Sequence, residues 1–96
     1  MIVVHVGKEG ITVDGHANYA EPGKDVICAA VSVLAQNTLR SLKDLTKDVI
    51  KYRIVPGHID IKYKNLSEHG KVLVDSFFIG IASIQESYGS EYVQII

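Results

Sequence analysis

Cysteine, proline and tryptophan are scarce in this sequence, which has one cysteine, two prolines and no tryptophan among its 96 residues. One cysteine cannot form a disulfide within the chain, and disulfide-stabilised folds belong to oxidising compartments. Two further features are missing: an apolar run long enough to span a bilayer, and a leader of the secretory type at the start. Together these absences predict a cytoplasmic protein with no membrane partner.

The chain also lacks a large excess of positive or negative charge. The formal net charge is −1 at pH 7, and the lysines are scattered along the chain rather than grouped on one predicted face. Because nucleic-acid binding needs a concentrated basic surface, we expect no direct nucleic-acid partner. The four histidines and the cysteine lack the close ligand spacing of zinc sites, so we expect no metal and no other cofactor.

Hydrophobic residues make up 47% of the chain, which is enough for one compact core and too little for two. No linker, low-complexity run or internal sequence repeat divides the chain. We therefore expect a single domain over residues 1–96. A domain of this size is only moderately stable by itself, which favours pairing of subunits.

The first half of the chain predicts a hairpin followed by a helix. Residues 2–6 are β-branched except for His5, residues 7–10 are turn formers, and residues 11–14 alternate between apolar and polar. From Asp25 to Leu42 the apolar period is helical, and Asp25 as the N-cap places Cys28 at the third helical position. The residues expected on the buried face of the hairpin are Ile2, Val4, Val6, Ile11 and Val13.

The second half repeats the order of elements. Residues 49–63 predict another hairpin around a Pro56-Gly57 turn, and Ser67 begins a second helix that Gly89 ends. Residues 92–96 predict a last strand, at a sheet edge or a subunit contact. The order β-β-α-β-β-α-β indicates an α+β fold, a two-layer sandwich of a mainly antiparallel sheet with two helices on one face. The inward residues expected in the second hairpin are Ile50, Tyr52, Ile54, Ile59, Ile61 and Tyr63.

His16 and Cys28 are a candidate base and nucleophile. The partial positive charge of a helix N-terminus, together with a nearby imidazole, lowers the pKa of a thiol and favours the reactive thiolate. Strict alternation would turn His16 away from the helix, but Gly15 permits an irregular exit from the strand. A packed core cysteine and an ordinary surface histidine are the alternatives, and position alone leaves them open.

Asp25 and Ser32 lie on the same side of the predicted helix as the thiol. Asp25 is a helix cap that could also orient His16, although a carboxylate beside a thiolate opposes ionisation unless the imidazolium lies between them. Ser32 could be a small packing residue, or it could shape the pocket floor or bond near the sulfur. These alternatives also stay open on spacing alone.

One segment combines small residues, a histidine at a strand end and a cysteine at a helix start: Gly15, His16, Ala17, Tyr19, Ala20, Gly23, Asp25 and the run from Cys28 to Ser32. These residues resemble the signature of the ribosomal-processing cysteine proteases, the Prp family. The resemblance extends over the chain in length and element order. It implies one cysteine protease-like domain over residues 1–96 that pairs as a homodimer.

The resemblance also implies a function. Members of the family are endopeptidases that remove an N-terminal extension from a large-subunit ribosomal protein, the L-twenty-seven homologue, during ribosome assembly. The partner would then be that ribosomal protein precursor, with Cys28 as nucleophile, His16 as base, and Gly15, Asp25 and Ser32 in support. The alternative is a non-catalytic ribosome-associated or protein-binding module in which Cys28 is only packed.

The expected mechanism is a His/Cys dyad, since no third catalytic member is visible. Backbone N–H groups at the helix start are the expected oxyanion donors. The loop from Ala17 to Lys24, with Tyr19 as its large apolar residue and Gly23 as a turn former, is expected to be mobile and to close over an extended peptide. We hypothesise that Tyr19 then packs on a bulky substrate side chain.

Overall fold

The computed structural model describes residues 1–21 and 25–96 and confirms the predicted order of elements. Both predicted hairpins, both helices and the last strand are present, so the chain has the expected α+β architecture. The elements are β1 Ile2–Val6, β2 Gly10–Gly15, α1 Val26–Leu45, β3 Ile50–Val55, β4 His58–Tyr63, α2 Glu68–Tyr88 and β5 Val93–Ile95.

The five strands form one sheet in the order β3-β4-β2-β1-β5. Three neighbouring pairs are antiparallel, and only β1 and β5 run parallel. The register pairs Val13 with Ile59 and Ile11 with Ile61, so the apolar residues of both hairpins point to the same face. β3 and β5 are the edge strands, which confirms the edge position expected for the last strand.

The core lies between the apolar face of the sheet and the two helices, which pack against each other. Phe77 of α2 and Ile27 and Leu42 of α1 are among its fully buried side chains. Of the predicted apolar face of the first hairpin, Val6 alone is only partly buried. The buried sheet residues of the core are Ile2, Val4, Ile11, Val13, Ile59, Ile61, Tyr63 and Val93.

The predicted burial of two residues in β3 was wrong. Tyr52 and Ile54 pair with core residues of β4, yet their side chains are 52% and 43% exposed. β3 is the edge strand on the side of α1, and this helix covers its residues only in part. Phe78 of α2 is also 43% exposed.

The helix ends follow the predicted capping residues. Oδ1 of Asp25 accepts hydrogen bonds from the N–H groups of Ile27 and Cys28, both at 3.0 Å, and starts α1. Ser67 caps α2 by accepting the N–H of Gly70, and Gly89 ends that helix at a φ of 113°. Neither helix of the described residues is long and apolar enough to cross a bilayer.

Candidate active site

A cleft of about 390 Å³ opens between the start of α1, the end of β2 and the β3–β4 turn. His16, Cys28 and Ser32 line it together with Gly15, so the fold brings four of the predicted site residues to one place. The same His16, Cys28 and Ser32 also line a second cleft of about 590 Å³ on the side of Asp25. These three side chains therefore lie between two neighbouring clefts.

Cys28 occupies the third position of α1, as predicted, and its side chain is half-buried. Its Sγ accepts a hydrogen bond from the backbone N–H of Ala17 at 3.2 Å. The expected oxyanion donors are engaged elsewhere, since the N–H groups of Ile27 and Cys28 both donate to Asp25. The backbone donor directed at the sulfur is therefore Ala17, for which the sequence carries no signal beyond its small size.

Asp25 links the start of α1 to the preceding loop, because its Oδ2 accepts the N–H of Tyr19 at 3.0 Å. Desolvation raises the pKa of the Asp25 carboxyl. Hydrogen bonds from the N–H groups of Cys28 and Tyr19 and from the Cys28 thiol lower this pKa, and together they outweigh the desolvation. The net pKa lies below the ordinary value, so the carboxylate is ionised at neutral pH. In the described residues its bonds go to the loop and the helix start rather than to His16.

The backbone turns away from the sheet before His16. Gly15 has a φ of +95°, as expected for an irregular strand exit, and its N–H donates to the carbonyl of Gly57 at 2.9 Å. The carbonyl of His16 accepts a hydrogen bond from the ammonium of Met1 at 2.5 Å. These backbone bonds place the imidazole at the mouth of the cleft instead of on the far face of the sheet.

The imidazole of His16 also lies over the β3–β4 turn. A methyl group added to Gly57 would come within 3.0 Å of Nε2 of His16, and Gly57 itself has a φ of +75°. The sequence indicates Gly57 only as a turn residue, because its distance from His16 along the chain hides the contact. Among residues 1–21 and 25–96 no hydrogen bond joins the ring of His16 to Cys28, although both line the same cleft.

Tyr19 lies outside the lining of both clefts. Its ring packs edge-on against Tyr88 at a centroid distance of 5.6 Å and against Tyr92 at 5.2 Å. The predicted contact with a substrate side chain therefore stays a prediction. Gly23, the other residue assigned to the substrate loop, falls outside the described residues.

Of the other histidines, His58 also lines the cleft of His16 and Cys28, whereas His5 and His69 line neither of the two clefts. His58 contacts the carboxylate of Asp14, its cross-strand partner, on the face of the sheet away from the helices. Nδ1 of His5 lies 3.2 Å from the carbonyl oxygen of Ile96. Within the described part of the chain, no three histidine, cysteine or acidic side chains are arranged as a metal site.

Comparison with known proteins connects this geometry to a family. The family model described as cysteine protease Prp matches residues 1–94. The chain is 25% identical over 81 residues to the ribosomal processing cysteine protease Prp of Staphylococcus aureus, a match that covers 81% of this chain and 76% of the relative.

Solved structures share the fold. A crystal structure of the essential ribosomal processing protease Prp from S. aureus, in complex with a covalently linked product peptide, has a TM-score of 0.90 at 22% identity and covers 99% of this chain and 97% of the other. A protein from Streptococcus mutans has a TM-score of 0.74 at 27% identity, with coverages of 99% and 90%. The similarity therefore includes the elements that carry His16 and Cys28.

Proposed function

The chain belongs to the cysteine protease Prp family, and on that premise we propose that Cys28 is its nucleophile and His16 its general base. The observation that carries the proposal is the position of the Cys28 sulfur. It lies at the start of α1, accepts the N–H of Ala17, and lines one cleft with His16. A helix N-terminus and a backbone donor both place partial positive charge beside this sulfur, where negative charge develops during attack.

The reaction begins with proton transfer from the Cys28 thiol to the imidazole of His16. The thiolate attacks the carbonyl carbon of the scissile bond, a C–S bond forms, and the carbonyl electron pair moves to oxygen. Collapse of this intermediate breaks the C–N bond, and the imidazolium protonates the leaving amine. Water, deprotonated by His16, then hydrolyses the thioester and restores the thiol.

The N–H of Ala17 is our candidate for the oxyanion donor. At 3.2 Å from Sγ it lies where an oxygen bonded to the attacked carbon would form, next to the sulfur. As negative charge moves from the sulfur to the oxyanion, the N–H of Ala17 can transfer its hydrogen bond from the sulfur to the oxygen with only a small displacement. One such donor contributes about 3 kcal/mol to transition-state stabilisation in other enzymes.

Asp25 has a supporting role in this scheme. Its carboxylate fixes both the helix start and the loop that carries Ala17 and Tyr19. Because its charge opposes thiolate formation, the imidazolium that forms at His16 on proton transfer must compensate for it. Ser32, one turn beyond Cys28, lines both clefts and is placed to contact a bound peptide.

We propose as the substrate a large-subunit ribosomal protein precursor, the L-twenty-seven homologue, from which the enzyme removes an N-terminal extension. The S. aureus relative is a ribosomal processing protease, and another of its crystal structures contains a substrate peptide. The clefts on either side of His16, Cys28 and Ser32 offer space for the chain before and after the scissile bond.

The test is cleavage of a peptide that spans the precursor extension of the same organism, with products identified by mass spectrometry. We expect the wild type to cut one bond and Cys28→Ala to cut none. His16→Gln should lower kcat by about 10²- to 10⁴-fold, the usual contribution of a general base. As a control, His69→Gln changes an exposed histidine on α2 and should leave the rate unchanged.

Three results would contradict parts of the proposal. Cleavage by Cys28→Ala at the wild-type rate would show another nucleophile. Full activity of His16→Gln at all pH values would show another base. Intact wild-type protein that leaves an authentic precursor uncut would refute the assigned substrate.

A further inference from the structure

A groove distinct from both clefts extends the 390 Å³ cleft along α1. It lies between α1 and the edge strand β3 and encloses about 560 Å³. We name it the α1–β3 groove; its lining residues are Val33, Gln36, Asn37, Leu39, Arg40, Lys43, Tyr52 and Ile54. Tyr52 and Ile54, which α1 covers only in part, form its sheet side.

The groove and the cleft are continuous. Gln36 and Ile54 line both, one from the helix and one from the strand. From Cys28 to Lys43 the helix advances by about 22 Å at 1.5 Å per residue. An extended peptide rises about 3.3 Å per residue, so this length suits about six or seven substrate residues.

The two walls of the groove differ in chemistry. The helix wall combines the amides of Gln36 and Asn37 with the apolar side chains of Val33 and Leu39, whereas the strand wall is apolar, with Tyr52 and Ile54. An extended peptide alternates its side chains and exposes backbone donors and acceptors, so it fits a groove that offers amide groups on one wall and apolar surface on both. β3 is also a sheet edge, where unpaired backbone groups can bond to an added strand.

The far end of the groove is positively charged. The Nζ of Lys43 lies 4.8 Å from the centroid of the Tyr52 ring. Arg40 is paired with Asp44 at 2.8 Å, which leaves Lys43 as the uncompensated charge. Among the described residues that line the groove there is no carboxylate. A basic substrate side chain at this end would therefore meet a like charge.

We propose that the α1–β3 groove binds the extended segment of the substrate on one side of the scissile bond. It places an apolar side chain between Tyr52 and Ile54 and selects an acidic or neutral residue over a basic one beside Lys43. This inference rests on the proposed peptidase function and names the part of the substrate that determines specificity away from the cut bond.

The first experiment compares two peptides with the same scissile bond. A short peptide carries three residues on each side, and a long peptide carries seven on each side. We expect kcat/KM of the wild type to be at least about tenfold higher for the long peptide, because only that peptide fills the groove. Tyr52→Ala should remove most of this advantage, so that the long-to-short ratio falls toward one.

The second experiment tests charge with long peptides that carry Glu, Gln or Lys at either terminal position. The wild type should prefer Glu over Lys, and Lys43→Glu should reverse that order. Lys64→Glu is the matched control, since Lys64 is an exposed lysine outside both the groove and the cleft. Its order of preference should remain that of the wild type.

The outcomes separate this inference from the proposed function. Cleavage of both peptides with equal kcat/KM would confirm a peptidase and overturn the groove. If neither peptide is cut, fluorescence anisotropy of the long peptide with Cys28→Ala still tests the groove, and binding that Tyr52→Ala leaves unchanged overturns it. Light scattering of the wild type and Tyr52→Ala tests whether a second copy of the chain occupies the groove instead. If Tyr52→Ala loses a dimer while its long-to-short ratio of kcat/KM stays that of the wild type, the substrate-binding role of the groove is overturned.

Discussion

Gly57 is a turn residue whose tightest constraint comes from the catalytic histidine that we propose. Its φ of +75° favours glycine, and a methyl group there would approach Nε2 of His16 to within 3.0 Å. We expect Gly57→Ala to cost about 1–2 kcal/mol of unfolding free energy through backbone strain. It should also lower kcat by displacing the imidazole, which urea unfolding and peptide cleavage at 25 °C would measure separately.

Gly89→Ala is the matched control for this prediction. Gly89 has a φ of +113° at the end of α2, and a methyl group added there would face Glu91 rather than His16. The control should lose a similar amount of stability and keep its kcat. If both variants keep kcat, the contact between Gly57 and His16 has no catalytic importance.

At the residue scale, the sequence predicts the two groups that we propose to react and misses the residues that contact them in the fold. His16 and Cys28 follow from a strand end, a helix start and a family signature. Ala17 and Gly57 carry no comparable signal, because their roles depend on contacts with distant parts of the chain. Small residues in loops usually indicate only a turn.

At the scale of elements, Asp48 connects the end of α1 to the start of α2. The Ser67 hydroxyl donates to Oδ2 of Asp48 at 2.8 Å, and the Ser67 N–H donates to Oδ1 at 3.0 Å. The bond from the hydroxyl lowers the pKa of the Asp48 carboxyl most, desolvation opposes it, and the backbone bond adds to the lowering. The same Ser67 Oγ accepts the N–H of Gly70, so helix cap and carboxylate share one hydroxyl.

This arrangement predicts an acid-dependent loss of stability. The folded-state pKa of Asp48 lies below the unfolded value of about 3.9, so its stabilisation is complete above that pH and is lost as the pH falls through the folded pKa. The difference in unfolding free energy between wild type and Asp48→Asn should be constant above about pH 5 and shrink below about pH 4. Urea unfolding from pH 3 to 7 would measure it, with Asp75→Asn on the exposed face of α2 as the control. A difference that persists unchanged at pH 3 would contradict the assignment.

The elements themselves are readable from the sequence, because hydrophobic period and capping residues act locally. Asp25, Ser67 and Gly89 mark helix ends as predicted. The exposure of Tyr52 and Ile54 is different, since it depends on the place of β3 in the sheet. Strand order is a long-range property, and a pattern of alternation cannot show which strand has no neighbour.

At the scale of the whole molecule, three aromatic rings tie the loop before α1 to the last part of the chain. Tyr19 packs edge-on against Tyr88 at the end of α2 and against Tyr92 before β5. Aromatic pairs of this geometry contribute about 0.5–1.5 kcal/mol each. The loop that carries the candidate oxyanion donor is therefore held by residues 69 and 73 positions away from Tyr19 in the sequence.

We expect Tyr88→Ala to loosen this loop without unfolding the core. Amide hydrogen exchange at residues 17–21 should become faster, while exchange in β1, β2 and β4 stays slow. Phe78→Ala is the matched control, because Phe78 is a similarly exposed aromatic residue on the same helix. Equal exchange at residues 17–21 in the wild type and Tyr88→Ala would mean that the rings do not restrain the loop.

The bond from the N–H of Gly15 to the carbonyl of Gly57 has a kinetic consequence. It closes a long loop of chain, and the pairing of β1 with β5 closes a longer one. Contacts between residues distant in sequence form slowly, whereas a helix such as α1 forms on a far shorter timescale. During refolding, helical structure would therefore return before peptide hydrolysis, and enzyme activity would report the completion of the sheet.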